Sequence, residues 1–97
     1  MNTLICDAIA LKQLIRFNYD RGYRIVEPFC YGMGTAGNEL LRAYQVEGYS
    51  KSGRPVGWKL FRVSQITGLS TTGQYFTDIR PGYNPQDSAM KTIYCRV

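Results

Sequence analysis

The sequence contains no histidine. This absence excludes Ser–His and Cys–His nucleophile systems, histidine general bases and imidazole metal ligands. Acid–base chemistry by carboxylates alone needs a recognisable pair, and the carboxylates of this chain show no paired spacing. They are Asp7, Asp20, Glu27, Glu39, Glu47, Asp78 and Asp87. The sequence therefore predicts that the chain is not an enzyme.

Cysteine is scarce, and its pattern is not that of a metal site. Cys6, Cys30 and Cys95 are far apart, odd in number and include no Cys-x-x-Cys pair. Without histidine they cannot complete a zinc site. We therefore expect reduced, partly buried thiols and no metal or other cofactor.

Long apolar runs are also missing. No stretch approaches the roughly 20 residues that span a bilayer. Residues 1–10 include Asp7 and lack the basic run and apolar core of a secretory signal. The sequence therefore predicts a cytoplasmic protein without a membrane partner.

Acidic residues are fewer than basic ones. Twelve Lys and Arg against seven Asp and Glu give a net charge of +5. Such a surplus favours anionic partners, such as nucleic acid, nucleotides or an acidic protein face. A surplus of this size also serves to keep a small protein soluble, so charge alone leaves both interpretations open.

What the chain does have is enough apolar and aromatic residues for one core. Its 97 residues predict one domain, residues 1–97, and 44% of them are hydrophobic. Eight tyrosines and four phenylalanines favour strands, because aromatic side chains fit a pleated, half-buried surface.

The N-terminal residues have the pattern of a short helix. Asn2 or Thr3 can cap it, and Leu4, Ala8 and Leu11 recur at helical spacing up to about residue 12. We expect this apolar stripe to lie on the rest of the fold as a lid.

From residue 14 the period changes to the alternation of strands. The predicted strands are residues 14–19, 24–27, 39–46, 58–63 and 66–71. Pro28 is expected to interrupt the second strand or to place it at an edge. In residues 39–46, Leu41 and Ala43 share one face while Arg42 and Tyr44 share the other.

Residues 32–37 spell Gly-x-Gly-x-x-Gly. A strand-like run follows them, whereas a nucleotide-binding version should open a helix. This context favours a hairpin turn over a phosphate loop.

One helix followed by five short strands predicts a mainly β (α+β) fold. A small barrel suits such strands because closure removes exposed edges. The tail predicts a short helix–strand extension. Residues 84–87 resemble a helix start, and residues 93–97 form a last strand at the barrel edge.

Several motifs in this order resemble the WYL domain family. They are residues 7–9 (Asp-Ala-Ile), 15–19 (Ile-Arg-Phe-Asn-Tyr), 24–28 (Arg-Ile-Val-Glu-Pro) and 60–66 (Leu-Phe-Arg-Val-Ser-Gln-Ile), followed by Leu69 and Phe76. The resemblance covers roughly residues 4–79. It implies an SH3-like or Sm-like barrel, of the kind that sits behind a helix-turn-helix in bacterial transcription regulators. It also implies binding of nucleic acid or nucleotide-like ligands and no enzymatic activity.

The chain departs from the family pattern at two places. Residues 39–41 (Glu-Leu-Leu) stand where the family has Trp-Tyr-Leu, and Gln65 replaces the family's second arginine. The length also leaves no room for a helix-turn-helix, so DNA targeting would come from a partner or from the barrel itself.

Five residues form the predicted ligand site. Arg24, Arg42 and Arg62 lie on three predicted strands, with Tyr19 and Tyr44 flanking them. Guanidinium groups bind phosphate with paired donors, and stacking of a base on an aromatic ring contributes roughly 1–3 kcal/mol. Arg24 and Arg62 match basic positions of the family, whereas the other three rest on strand alternation. The alternative is that the tyrosines belong to the core and the arginines to a solvated face.

Two functions of different class follow. The first is a non-enzymatic ligand-sensing or regulatory module that binds single-stranded nucleic acid or a nucleotide on the barrel surface. The second is a protein–protein interaction or assembly module that pairs an exposed barrel edge with a protein partner or with a second copy of the chain.

Overall fold

The computed structural model describes residues 1–97. The chain forms one α-helix, six β-strands and one turn of 3-10 helix. In chain order they are α1 (Thr3–Leu11), β1 (Gln13–Tyr19), β2 (Gly22–Gly34), β3 (Glu39–Gly48), β4 (Gly57–Arg62), the 3-10 turn (Val63–Gln65), β5 (Thr67–Tyr75) and β6 (Met90–Arg96). The predicted mainly β fold with an N-terminal helix is confirmed.

Helix α1 begins and ends as its sequence predicts. The side chain of Asn2 accepts a hydrogen bond from the Ile5 backbone N–H at 3.2 Å, which caps the first turn. At the other end Lys12 adopts a left-handed conformation with φ 53°, and its N–H donates to the carbonyls of Ala8 and Ile9. The helix packs on the sheet as a lid, but its buried residues are Ile5, Ala8 and Ile9. Of the predicted stripe only Ala8 is buried, and Leu11 is 61% exposed.

Strand β2 organises the sheet, which is antiparallel throughout. It pairs with β3 along most of its 13 residues. On its other side it pairs first with β1, around Val26, and then with β6, around Tyr31. The resulting strand order is β4-β3-β2-β1-β5, with β6 attached to β2 beside this path.

The sheet does not close into the predicted barrel. Strands β4 and β5 are the two ends of the hydrogen-bonded path and do not pair with each other. Each is therefore an edge strand, joined to the other in sequence only by the 3-10 turn.

Strand β2 continues through Pro28, but its pairing is broken there as predicted. A register shift between Pro28 and Cys30 interrupts the pairing with β3. On the other side of β2, the pairing with β1 ends at Val26 and that with β6 begins at Cys30, so Pro28 lies at a local edge.

The predicted helix start near the C-terminus is wrong. Residues 84–87 form turns and no helix. The Asn84 side chain accepts from the Gln86 N–H at 3.0 Å, and the Asp87 carboxylate accepts from the Ala89 N–H at 3.0 Å. Two such turns in succession, each closed by a side chain, replace the helix.

The sheet has a packed core on each face. The main core lies between the sheet and α1. Its buried members are Ile5, Ala8, Ile9, Ile15, Phe17, Val26, Tyr31, Leu41, Ala43 and Phe61. A second core lies around Leu14, Phe29 and Phe76, with Tyr44, Trp58 and Tyr83 packed against it. The predicted alternation of β3 is confirmed, because Leu41 and Ala43 belong to the main core and Tyr44 to the second.

The glycine motif of residues 32–37 ends β2 and forms the β2–β3 hairpin. The Gly34 N–H donates to the Asn38 carbonyl at 2.7 Å, and the Gly37 N–H donates to the Gly34 carbonyl. Gly37 has φ 85°, a conformation that side chains disfavour. The predicted hairpin turn is confirmed, and no helix follows these glycines.

Candidate functional site

Arg24 is a buried cation at one end of the main core. It lies on β2, opposite Phe17 of β1 and Gly48 of β3, and only 4% of its surface is exposed. Arginine is almost never this buried without a charged partner. Yet no Asp or Glu oxygen lies within 4 Å of its guanidinium, since the ion pairs of this chain all involve other cations.

Neutral groups hold the guanidinium instead. Its Nη1 donates to the Gln45 side-chain oxygen at 3.2 Å, and its Nη2 donates to the Tyr19 carbonyl at 3.3 Å. Its Nε is buried and has no hydrogen-bond partner. An unpaired buried donor of this kind costs free energy, which marks the position as one that packing alone does not explain.

Three aromatic rings surround the same guanidinium. Its central carbon lies 5.4 Å from the ring centroids of Tyr19 and Tyr49, and 5.6 Å from that of Phe61. Ring faces attract a cation, so they partly replace the missing carboxylate. Burial still dominates, and it lowers the pKa of Arg24, while the charge of Asp20 opposes that effect.

A surface cleft of about 200 Å³, the Arg24 cleft, opens beside this group. Its polar lining residues are Asp20, Arg24, Ser50, Lys51, Ser52 and Lys59. Three of the six are cations and one is an acid. The cleft therefore carries a positive charge that the protein itself does not neutralise.

Lys59 of β4 adds a further positive charge close to Arg24 and Arg54. Its Nζ donates to the Arg54 carbonyl at 2.6 Å and to the Ser50 hydroxyl at 3.2 Å, which ties the β3–β4 loop to the cleft. Burial lowers the pKa of Lys59, and the charges of Arg24 and Arg54 lower it further. Like charges held together in this way favour binding of an anion.

Arg62 and Tyr19 lie on an adjacent cleft of about 360 Å³. The Tyr19 hydroxyl accepts from the Arg62 backbone N–H at 3.1 Å, and the Arg62 side chain is exposed. Tyr19 and Leu60 border both clefts, so the two form one continuous surface. The structure thus brings together three of the five predicted site residues: Arg24, Arg62 and Tyr19.

Arg42 and Tyr44 lie on the opposite face of the sheet. Arg42 pairs with Asp87, with its Nε 2.7 Å from one carboxylate oxygen. Burial alone would raise the pKa of Asp87, but hydrogen bonds from Arg42 and from the Ala89 N–H lower it below its usual value. The Tyr44 ring lies under the guanidinium of Arg80 at 4.4 Å. Both predicted residues therefore already have partners within the protein.

Among the residues of the site that were not predicted are Lys59, Gln45 and Tyr49, which contact or border the Arg24 guanidinium or its cleft. Lys59 shares a strand face with Phe61 by simple alternation, so the pattern that placed Phe61 could have found it. Gln45 follows the same alternation from Ala43. Tyr49 carries no such signal, because it lies in the loop after β3 and reaches Arg24 only through the fold.

Comparison of this chain with protein-family models, with curated proteins and with solved structures found no match. Helix α1 has nine residues, and no helix combines the length and the apolar character required to cross a membrane.

Proposed function

We propose that this chain is a non-enzymatic regulatory module that binds an anionic ligand, single-stranded nucleic acid or a nucleotide, on the surface formed by the two clefts. The observation that carries the proposal is Arg24, a cation 4% exposed that has no carboxylate within ion-pair distance. Taking a charge out of water costs free energy that a partner must offset. A bound phosphate would supply the missing negative charge.

The surroundings of Arg24 fit a phosphate-containing ligand. Lys51 and Lys59 stand on the same cleft, and Arg62 stands on the next. Arginine binds phosphate oxygens with paired donors, and lysine acts as a point charge. Tyr19, between the clefts, offers an aromatic edge to a base or sugar.

We also propose that the chain is a WYL-like module with an SH3-like or Sm-like sheet. The strand order supports this assignment, because β5 returns to pair with β1 and only the β4–β5 pairing separates the sheet from a closed five-stranded barrel. The N-terminal helix packed on the sheet supports it as well.

Cytoplasmic localisation is part of the same proposal. Its test is the redox state of Cys6 and Cys95, whose sulfur atoms form a disulfide in the structure. Thiol labelling of the protein inside intact cells should modify these two cysteines if the compartment is reducing, because disulfides rarely persist there. Protection of both cysteines would place the protein in an oxidising compartment and contradict the localisation.

Fluorescence anisotropy with labelled single-stranded and double-stranded oligonucleotides tests the binding function. We expect salt-sensitive binding that Arg24→Met weakens about tenfold or more, since a charge-assisted hydrogen bond contributes roughly 1.5–3 kcal/mol. Arg62→Ala, at an exposed position, should weaken it severalfold and reduce the salt slope by about one unit.

Lys91→Ala is the matched control, because it removes an exposed cation on β6, outside both clefts. It should change affinity much less than either arginine variant. If Arg24→Met and Arg62→Ala remain folded by circular dichroism and bind as the wild type does, the proposed site is wrong.

A second candidate function, self-assembly, is favoured by β5. This edge strand, residues Thr67–Tyr75, contains no charged residue and no proline, the devices that usually protect an edge from pairing. Antiparallel pairing of a strand with its own copy brings the charges of the two copies close together, so a strand whose charges all have one sign would repel its copy. Edge strand β4 carries Lys59 and Arg62 and would meet that repulsion, whereas β5 would not.

Sedimentation velocity over a range of protein concentrations tests this assembly. If β5 pairs with a second copy, the wild type should show a dimer that Ser70→Lys, at an exposed β5 position, dissociates. Gln86→Lys, an exposed position in the turns before β6, adds the same charge elsewhere and should leave the dimer intact. A wild-type monomer at high concentration would eliminate this candidate.

A further inference from the structure

The Arg24 cleft is small and open to the neighbouring surface. Its volume of about 200 Å³ has room for a phosphate group. Because Tyr19 and Leu60 border both clefts, the rest of a larger ligand can continue onto the cleft that Arg62 lines.

The charge of the lining distinguishes two kinds of phosphate. Arg24, Lys51 and Lys59 face the single acid Asp20 on this cleft, and Arg54 adds its charge near Lys59. A phosphodiester inside a strand carries one negative charge. A phosphomonoester at the end of a strand carries about −1.5 to −2 at pH 7, which matches the surplus of cations more closely.

Hydrogen-bond donors point to the same distinction. The Ser50 and Ser52 hydroxyls lie 2.9 Å apart on the rim loop, and Lys59 Nζ lies 3.2 Å from Ser50. A phosphomonoester has three terminal oxygens that accept such donors, whereas a phosphodiester has two. Arg24 adds the positive charge of its guanidinium to the same lining.

We propose that the Arg24 cleft is a phosphomonoester site that recognises the phosphorylated end of a nucleic acid strand or nucleotide. The inference rests on the proposed function and adds the chemical group that the site selects. The rest of the ligand leaves the cleft across Tyr19 and Leu60 towards Arg62, because these two residues border both clefts.

Matched oligonucleotides of one sequence test this site by anisotropy. One carries a 5′-phosphate, one a 3′-phosphate and one hydroxyl groups at both ends, with the fluorophore always away from the tested end. We expect one phosphorylated end to tighten binding about tenfold at equal salt, the effect of added charge-assisted hydrogen bonds. Lys59→Gln should reduce that preference to less than twofold, and Lys91→Gln should leave it unchanged.

Lys51→Ala provides an independent variant, because Lys51 is exposed and its replacement leaves the core intact. It should lower the preference for a phosphorylated end severalfold.

A thermal shift with inorganic phosphate as the probe, run on the wild type and on Lys59→Gln, separates this site from the wider function. Binding to the native state alone raises the melting temperature.

The outcomes distinguish the two proposals. Equal binding of phosphorylated and hydroxyl ends overturns the phosphomonoester site and leaves the nucleic-acid function standing. A phosphate shift of the wild type, absent in Lys59→Gln, with no oligonucleotide bound, supports the site and overturns the nucleic-acid function. No response to either probe overturns both.

Discussion

Replacing Cys95 by serine is expected to lower the free energy of unfolding by about 4 kcal/mol. Cys6 of α1 and Cys95 of β6 form a disulfide across a sequence separation of 89 residues, with their Cα atoms 5.6 Å apart. A cross-link that closes so long a loop removes much of the conformational entropy of the unfolded chain. The effect is large relative to the total stability of a small domain.

Denaturant unfolding of the wild type and of Cys6→Ser, Cys95→Ser and the double variant measures this effect. Both single variants and the double variant should lose the same free energy, because each removes one shared bond. The wild type in reductant should behave like the double variant. An unfolding midpoint that reductant leaves unchanged would show that the bond does not form in solution.

Arg80→Ala is expected to destabilise the protein by about 2 kcal/mol. Arg80 holds both carboxylate oxygens of Glu27 at 2.8 Å, and Glu27 is only 4% exposed. Removing the guanidinium leaves a buried carboxylate without its hydrogen bonds. The loss falls below that of a fully buried pair because the Arg80 side chain is 37% exposed.

Thermal unfolding of Arg80→Ala and of Glu27→Gln/Arg80→Ala measures this second effect. The double variant should recover part of the stability, since a buried amide costs less than a buried charge. Arg54→Ala, an exposed loop cation, is the control and should change stability by less than about 0.5 kcal/mol. If Arg80→Ala unfolds at the same temperature as the wild type, the pair of Arg80 and Glu27 does not stabilise the fold.

The parts of the fold that depend on short sequence separations were predictable. Alternation within single strands places Leu41 and Ala43 on one core and Tyr44 on the other. Asn2 as the helix cap and Gly37 in the hairpin turn follow from the conformations that these residue types favour. Each of these features requires only a few neighbouring residues.

The structure joins Cys6 and Cys95 where the sequence predicted free thiols, and the reason is long-range. Nothing in the spacing of Cys6 and Cys95 brings them together, because their proximity depends on β6 pairing with the second half of β2. Tyr31 shows the link: it is the β2 partner of Cys95, and its hydroxyl accepts from the N–H of Asn2, the helix cap. Only Cys30 remains a free thiol, and burial raises its pKa to about 11.

The candidate site was predictable only in part, for the same reason. Arg24, Arg62 and Tyr19 come together, but their grouping depends on the pairing of β1 with β2 and on the position of β4. Arg42 was predicted as a phosphate ligand because nothing in the sequence shows that it pairs with Asp87, which lies 45 residues away. Whether a cation is free or paired is a property of the whole fold.

The disulfide between α1 and β6 determines which part of the chain carries a pulling force. Because the second half of β2 holds β6 beside α1, a force applied to the two chain ends passes from Cys6 directly to Cys95. The chain between the two cysteines, a separation of 89 residues or about 310 Å if extended, cannot be pulled out while the bond is intact. Both clefts are lined by residues inside this link.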